Sequence, residues 1–218
     1  ECRPGCPCGR FVEIWNLVFT QFNRKDKGIL EPLPNKNIDT GMGLERMASV
    51  TQGVKSNFEI DIFKPIINEI TLYKLPITTL DITYHPSLIN SIADHIRAIV
   101  FAIYDGVIPS NEQRGYVVRK LIRKAALHGW DIGINGAFLH KLVPVVSKIF
   151  TPGYPELTSK SSYIAEIILS EEKAFTATLN DAPRILENEF KKQENRKTHS
   201  GETAFKLHDT YGIPLERT

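Results

Sequence analysis

Between residues 88 and 104 apolar side chains return every three or four positions, at Ile89, Ile92, Ala93, Ile96, Ile99, Val100 and Ile103. That period predicts a helix over 88–104 with one apolar stripe, stopped by Asp105-Gly106. The same period appears at Ile62, Phe63, Ile66, Ile67 and Ile70, at Val117, Val118, Leu121, Ile122 and Ala125, over 138–150, and at Ile164, Ile167, Ile168, Phe175 and Leu179. Asn180-Asp181-Ala182-Pro183 is expected to break the last of these, because Pro183 has no N–H for the bond to residue 179, and Asp181 is expected to cap a fresh helix to 192. Residues 76–86 read as a connector, 191–200 as an exposed polar loop and 201–207 as a short helix.

Before residue 54 the period is two. Phe11, Glu13 and Trp15 interleave with Val12, Ile14 and Asn16, which predicts a strand over 11–24 with one wet face. Asp26-Lys27-Gly28 reads as a hairpin turn. Pro32 and Pro34 cannot donate to a ladder, so 29–34 is an edge or a loop leading to a strand that ends at Ile38 and Asp39. A helix is expected from Leu44 to Val50. The chain is thus expected to be α+β, with an antiparallel part over 1–53 and an all-helical part over 54–218. No internal repeat is visible.

Composition changes this picture little: 218 residues with 42% hydrophobic and 24% charged side chains suit a chain that folds in water. No run of eighteen apolar residues predicts a membrane helix. Glu1 opens the chain and strand-like sequence follows within about ten residues, which reads as an internal piece of a longer protein. A net charge of +2 does not by itself imply nucleic acid. Its distribution says more, since residues 105–128 hold five Arg and Lys (Arg114, Arg119, Lys120, Arg123, Lys124) against Asp105 and Glu112. At 100° per residue Arg119, Lys120, Arg123 and Lys124 fall opposite the apolar arc, a face suited either to solvent or to phosphates. Cys2, Cys6 and Cys8 all lie in the first eight residues, unlike a disulfide framework, so a reducing compartment is expected. They supply three of the four ligands of a zinc site or form a metal-free thiol loop, and the metal-free reading is preferred.

The densest chemistry runs from Asn35 to Arg46, which places Asp39, Gly41, Gly43, Glu45 and Arg46 within eight residues at a strand-to-helix passage. Glycines there let backbone approach a ligand, and a helix start favours an anion. Gly41-Met-Gly-Leu-Glu-Arg resembles motif 3 of the class II aminoacyl-tRNA synthetases. With Glu13-Ile-Trp-Asn-Leu-Val-Phe, Ala93-Asp-His-Ile-Arg-Ala, Asp105-Gly-Val-Ile-Pro-Ser-Asn-Glu, Arg114-Gly-Tyr-Val-Val-Arg and Asp209-Thr-Tyr-Gly-Ile-Pro, six segments in order resemble the alanyl-tRNA synthetase family.

The resemblance implies that 1–53 is the carboxyl part of a class II aminoacylation domain and 54–218 a helical domain for the tRNA acceptor stem. It implies an alanine–tRNA ligase of the cytoplasm, using L-alanine, ATP with Mg²⁺ and tRNA(Ala). Asp39 would take the alanine ammonium, with Asn16, Val18 and Gly41 lining the amino-acid pocket. Arg46 would stack on adenine and bind phosphate, with Gly41, Gly43 and Glu45 beside the nucleotide. Glu45 either orients Arg46 or assists Mg²⁺. Asn111 and Asp209 would read a G·U pair, with Arg114, Arg119, Lys120, Arg123 and Lys124 on the RNA. Lys120 and Lys124 stand where the family usually has arginine, and His208 and Ile213 where aromatic residues are usual. Motifs 1 and 2 are absent, so this stretch alone is expected to be inactive. Its main rival is a non-enzymatic RNA-binding helical module carrying a synthetase remnant. An editing hydrolase would need a histidine and cysteine metal cluster, and the thiols here are incomplete and at the wrong end. Asp94, His95 and Arg97 are read as packing and polar contacts between helices, since helical neighbours point 100° apart.

Overall fold

The computed structural model describes residues 2–6, 8, 10–73, 86–192 and 201–209, with the side chains of 188–192, 203, 206, 208 and 209 outside that description. It divides into two compact units, Glu1–Lys64 and Pro65–Thr218. The boundary falls after the expected change of period because residues 52–61 are tied to the first unit. There Gln52 Nε2 donates to Asp61 Oδ1 at 2.9 Å, and the Asp61 N–H donates to Gln52 Oε1 at 3.1 Å.

The first unit is a two-stranded antiparallel sheet, β1 (Trp15–Arg24) and β2 (Leu30–Met42), followed by α1 (Leu44–Thr51). A single 3₁₀ turn at Asp26–Gly28 joins the strands. The ladder runs in register from Trp15↔Met42 to Thr20↔Asn37, slips, and resumes at Phe22↔Pro32. The slip sits where Pro32 and Pro34 remove two donors, so the proline segment expected as edge or loop is strand with an irregularity built in. β2 continues past Asp39 to Met42. The expectation of one wet face is corrected: every residue of β1 is exposed on both faces.

The second unit carries the core. α2 (Lys64–Leu72) starts two residues after the first residue of its apolar stripe, Ile62, and it buries Ile66 and Ile70. α3 (Pro86–Tyr104) opens on Pro86, whose fixed φ suits a first helical turn, and buries all seven residues of the expected stripe. Each such isoleucine stabilises the fold by roughly 1.5–3 kcal/mol. α3 packs mainly on α4 (Gln113–Asp131), and α5 (Leu139–Phe150) on α6 (Glu156–Lys192). Glu172 of α6 is 1% exposed and accepts from the Phe138 and Leu139 N–H groups at 2.7 and 3.0 Å, so it satisfies the start of α5 from another helix. Burial raises its pKa, against the opposing pull of these two N–H groups and His140.

The expected break at Pro183 does not occur: α6 runs unbroken through it for 37 residues. One lost N–H is tolerable because Ala182, Ile185 and Leu186 pack against Leu207 of α7 (Gly201–Asp209), and that apolar contact holds the turn. Of the connector expected over 76–86 and the loop expected over 191–200, residue 86 opens α3 and residues 191–192 end α6, while 76–85 and 193–200 lie outside the described residues.

Candidate functional site

Asn16 pairs with Gly41 and Val18 with Asp39 across the hairpin. Partners across a ladder share a face, as do alternate residues along a strand, so these four side-chain positions stand together on one side. The set assembles from register alone. Gly41 is tight: a Cβ there would lie 3.3 Å from Asn16 Oδ1. On the other face the Trp15 indole N–H donates to Thr40 Oγ1, and the Thr40 hydroxyl to Asn16 O at 3.0 Å, which locks the strands at this level. Asn16 Nδ2 donates to Glu13 Oε1 at 3.3 Å, and the Thr40 N–H to Asp39 Oδ1 at 2.8 Å.

β2 passes directly into α1 through Gly43, whose N–H donates to Ile14 O at 3.0 Å. Arg46, in the first turn of α1, donates from Nη1 to Glu13 O at 2.6 Å, anchoring the helix to the chain just before β1. The unit therefore presents an exposed carboxylate, an amide and a position without Cβ on one face, followed by a helix start that carries Glu45 and Arg46. Such a face can hold a small ammonium compound, and a helix start with an arginine can take phosphate.

The Sγ atoms of Cys2, Cys6 and Cys8 lie within 4.8 Å of one another, with Cys2 and Cys8 3.1 Å apart. The hydrogen bond between them raises the Cys2 pKa and lowers that of Cys8. Three converging thiols can offer soft ligands to one metal ion.

In the second unit Asn111, Arg114, Lys120 and Lys124 are exposed. The expected basic face is corrected in two ways. Arg119 and Arg123 do not share the solvent face of Lys120 and Lys124; they turn onto Glu171 of α6, with Nε to carboxylate distances of 3.1 and 2.8 Å. Val117, expected in the core arc, is 56% exposed and lies in line with Arg114, Lys120 and Lys124 at helical spacing. Arg119 also donates from Nη1 to Oδ1 of Asn111. At the start of α4 a polar cleft of about 360 Å³ has Asp105, Ser110, Glu112 and Arg114 in its walls. Gly115 is required there: a Cβ would come within 2.2 Å of Ser110 Oγ and 2.5 Å of Ile108 O. Asp209 ends α7, and its side chain lies outside the described residues.

Asp94 and Arg97 pair within α3 at 3.3 Å, so this contact is not between helices, whereas His95 stacks on His128 of α4 at 6.1 Å. Burial, then Lys124, lowers the His95 pKa.

Residues 4–218 match the family described as tRNA synthetases class II (A). The chain belongs to this family. Among its relatives it is 50% identical over 220 residues to the alanine–tRNA ligase of Lactiplantibacillus plantarum, and 49% identical over 218 residues to that of Elusimicrobium minutum. It is 48% identical over 224 residues to that of Staphylococcus aureus strain Newman. In each case all of the chain is covered and 25% of the relative, so it spans about a quarter of the length of the curated relatives it matches.

Two residues of this class II (A) synthetase chain escaped the sequence reading. Glu13 is named in the strand and in a family segment but given no role, and it is bonded by both Asn16, at its carboxylate, and Arg46, at its carbonyl. Glu171 had a signal: with Ile164, Ile168 and Phe175 it continues a four, three, four spacing, an acid placed on an apolar stripe. A carboxylate at such a position needs a cation, and Arg119 and Arg123 supply two.

Proposed function

We propose that the chain is part of an alanine–tRNA ligase, which activates L-alanine with ATP to alanyl-adenylate and passes the alanyl group to tRNA(Ala) in the cytoplasm. The reading is carried by the co-facial set Asn16, Val18, Asp39 and Gly41, which runs directly into Gly43, Glu45 and Arg46. Asp39 takes the ammonium of alanine, with Asn16, Val18 and Gly41 beside it on the same face of the hairpin. Arg46 takes adenine and phosphate, with Glu45 beside it, and Mg²⁺ accompanies the ATP. Activation then depends on holding carboxylate and α-phosphate in line and balancing their charge. Activity requires the residues of motifs 1 and 2 as well, and no zinc is assigned to the thiols. The helical unit takes the acceptor stem: Arg114, Lys120 and Lys124 hold phosphate, and Asn111 and Asp209 read the G·U pair. A bare RNA-binding module would have no use for the hairpin set.

In the full-length protein, Asp39→Ala is expected to lower alanine-dependent pyrophosphate exchange by about a hundredfold or more, since the substrate ammonium loses its charged partner and each roughly 1.4 kcal/mol of lost transition-state stabilisation is tenfold in rate. Unchanged exchange overturns the assignment. Asn111→Ala and Asp209→Ala are expected to leave exchange intact and to reduce discrimination for a G·U over a G·C acceptor helix by roughly 1–3 kcal/mol each.

A further inference from the structure

Glu171 has no part in the function just proposed, yet it is 8% exposed and carries a charge. Its Oε2 accepts from Arg119 Nε at 3.1 Å and its Oε1 from Arg123 Nε at 2.8 Å, while Arg123 lies over the Phe175 ring at 5.5 Å. A guanidinium held by its Nε edge keeps Nη donors for other work. Arg119 spends one of them, Nη1, on Asn111 Oδ1. Arginine offers no acceptor, so the Asn111 atom that faces it is the amide oxygen, and the two Nδ2 hydrogens face elsewhere.

We propose that Glu171 is a positioning residue for RNA discrimination. Through Arg119 it holds the Asn111 amide in one orientation, so that this side chain offers donors to an acceptor on the base pair. It also neutralises part of the Arg119 and Arg123 charge, which keeps these side chains from gripping phosphate irrespective of sequence. The proposal rests on the reading of Asn111 as an RNA contact.

The test uses the full-length protein and two acceptor helices that differ only in a G·U or G·C pair, with pyrophosphate exchange and thermal unfolding alongside. Glu171→Gln keeps the shape and removes the charge. It is expected to leave exchange unchanged, to lower kcat/KM for the G·U helix about tenfold, to leave the G·C helix unchanged or improved, and to steepen the salt dependence. Glu171→Asp, which keeps the charge, should recover part of the ratio. In an Asn111→Ala background, Glu171→Gln should change the ratio no further. Should Glu171→Gln fail to fold, Arg119→Lys replaces it, keeping the charge without the fork, and the same loss of ratio is expected. An equal slowing of both helices overturns the proposal, as does an undiminished loss of ratio in the Asn111→Ala background. If Asn111→Ala discriminates normally, the RNA reading of Asn111 falls and this proposal with it; if Asn111→Ala loses discrimination and Glu171→Gln does not, this proposal alone falls.

Discussion

Phe19, in the middle of β1, is 63% exposed, whereas Ile96, in the middle of α3, is fully buried. The contrast runs through both units. In the hairpin, side chains are arranged by ladder register and a few bonds such as Trp15 to Thr40, with no core on either face. In the helical unit, packing comes first, and the two buried acids, Glu171 and Glu172, accept from partners outside their own helix. Among the described residues the sheet has two strands, so in this chain register and a few bonds order the hairpin, whereas a packed core orders α4.

The sharpest way to break this comparison is a matched pair of truncations. Ile96→Ala is expected to cost roughly 2–5 kcal/mol in denaturant unfolding of the chain, the sum of lost burial and a cavity. Phe19→Ala should fall within about 0.5 kcal/mol, as for an exposed position. Equal losses would show that the hairpin is packed after all.

A smaller effect is expected from Gly115→Ala, where the new methyl meets Ser110 and the Ile108 carbonyl. Overpacking of this kind costs about 1–3 kcal/mol, and the change should be seen both in unfolding and in chemical shifts of 107–112, with 15–24 unmoved.

The smallest effect is in pH. Because burial and Lys124 depress the His95 pKa in the fold, the unfolded chain binds this proton more tightly. Stability present near neutral pH is therefore lost as pH falls from the ordinary histidine range through the depressed value. Melting temperatures of wild type and His95→Gln should converge on acidification, and parallel curves would remove His95 from the account.

How far the sequence could be read follows the same division. The α3 stripe was fully legible, because seven apolar positions at one period leave no other face to bury. So was the passage from strand to α1, marked by Gly41, Gly43 and the helix formers after them. Pro183 misled, because the contact of Ala182 with Leu207 joins residues far apart in sequence. Arg119 and Arg123 misled for the same reason: helical angles separate the faces of α4, but they do not say that an acid 48 and 52 residues later will reach up to claim two of its cations. The wet face expected of β1 was a statement about alternation, and alternation is silent about what covers the other side.

Glu171 and Glu172 are adjacent on α6, so their side chains leave the helix about 100° apart. One reaches the arginines of α4 and the other the start of α5. Two pins set at that angle work like the wards of a key: α6 can seat at one rotation about its own axis, and a twist that relaxed either carboxylate would pull the other from its partners. A one-residue insertion ahead of them would turn both carboxylates about 100° away from their partners and so release both pins at once.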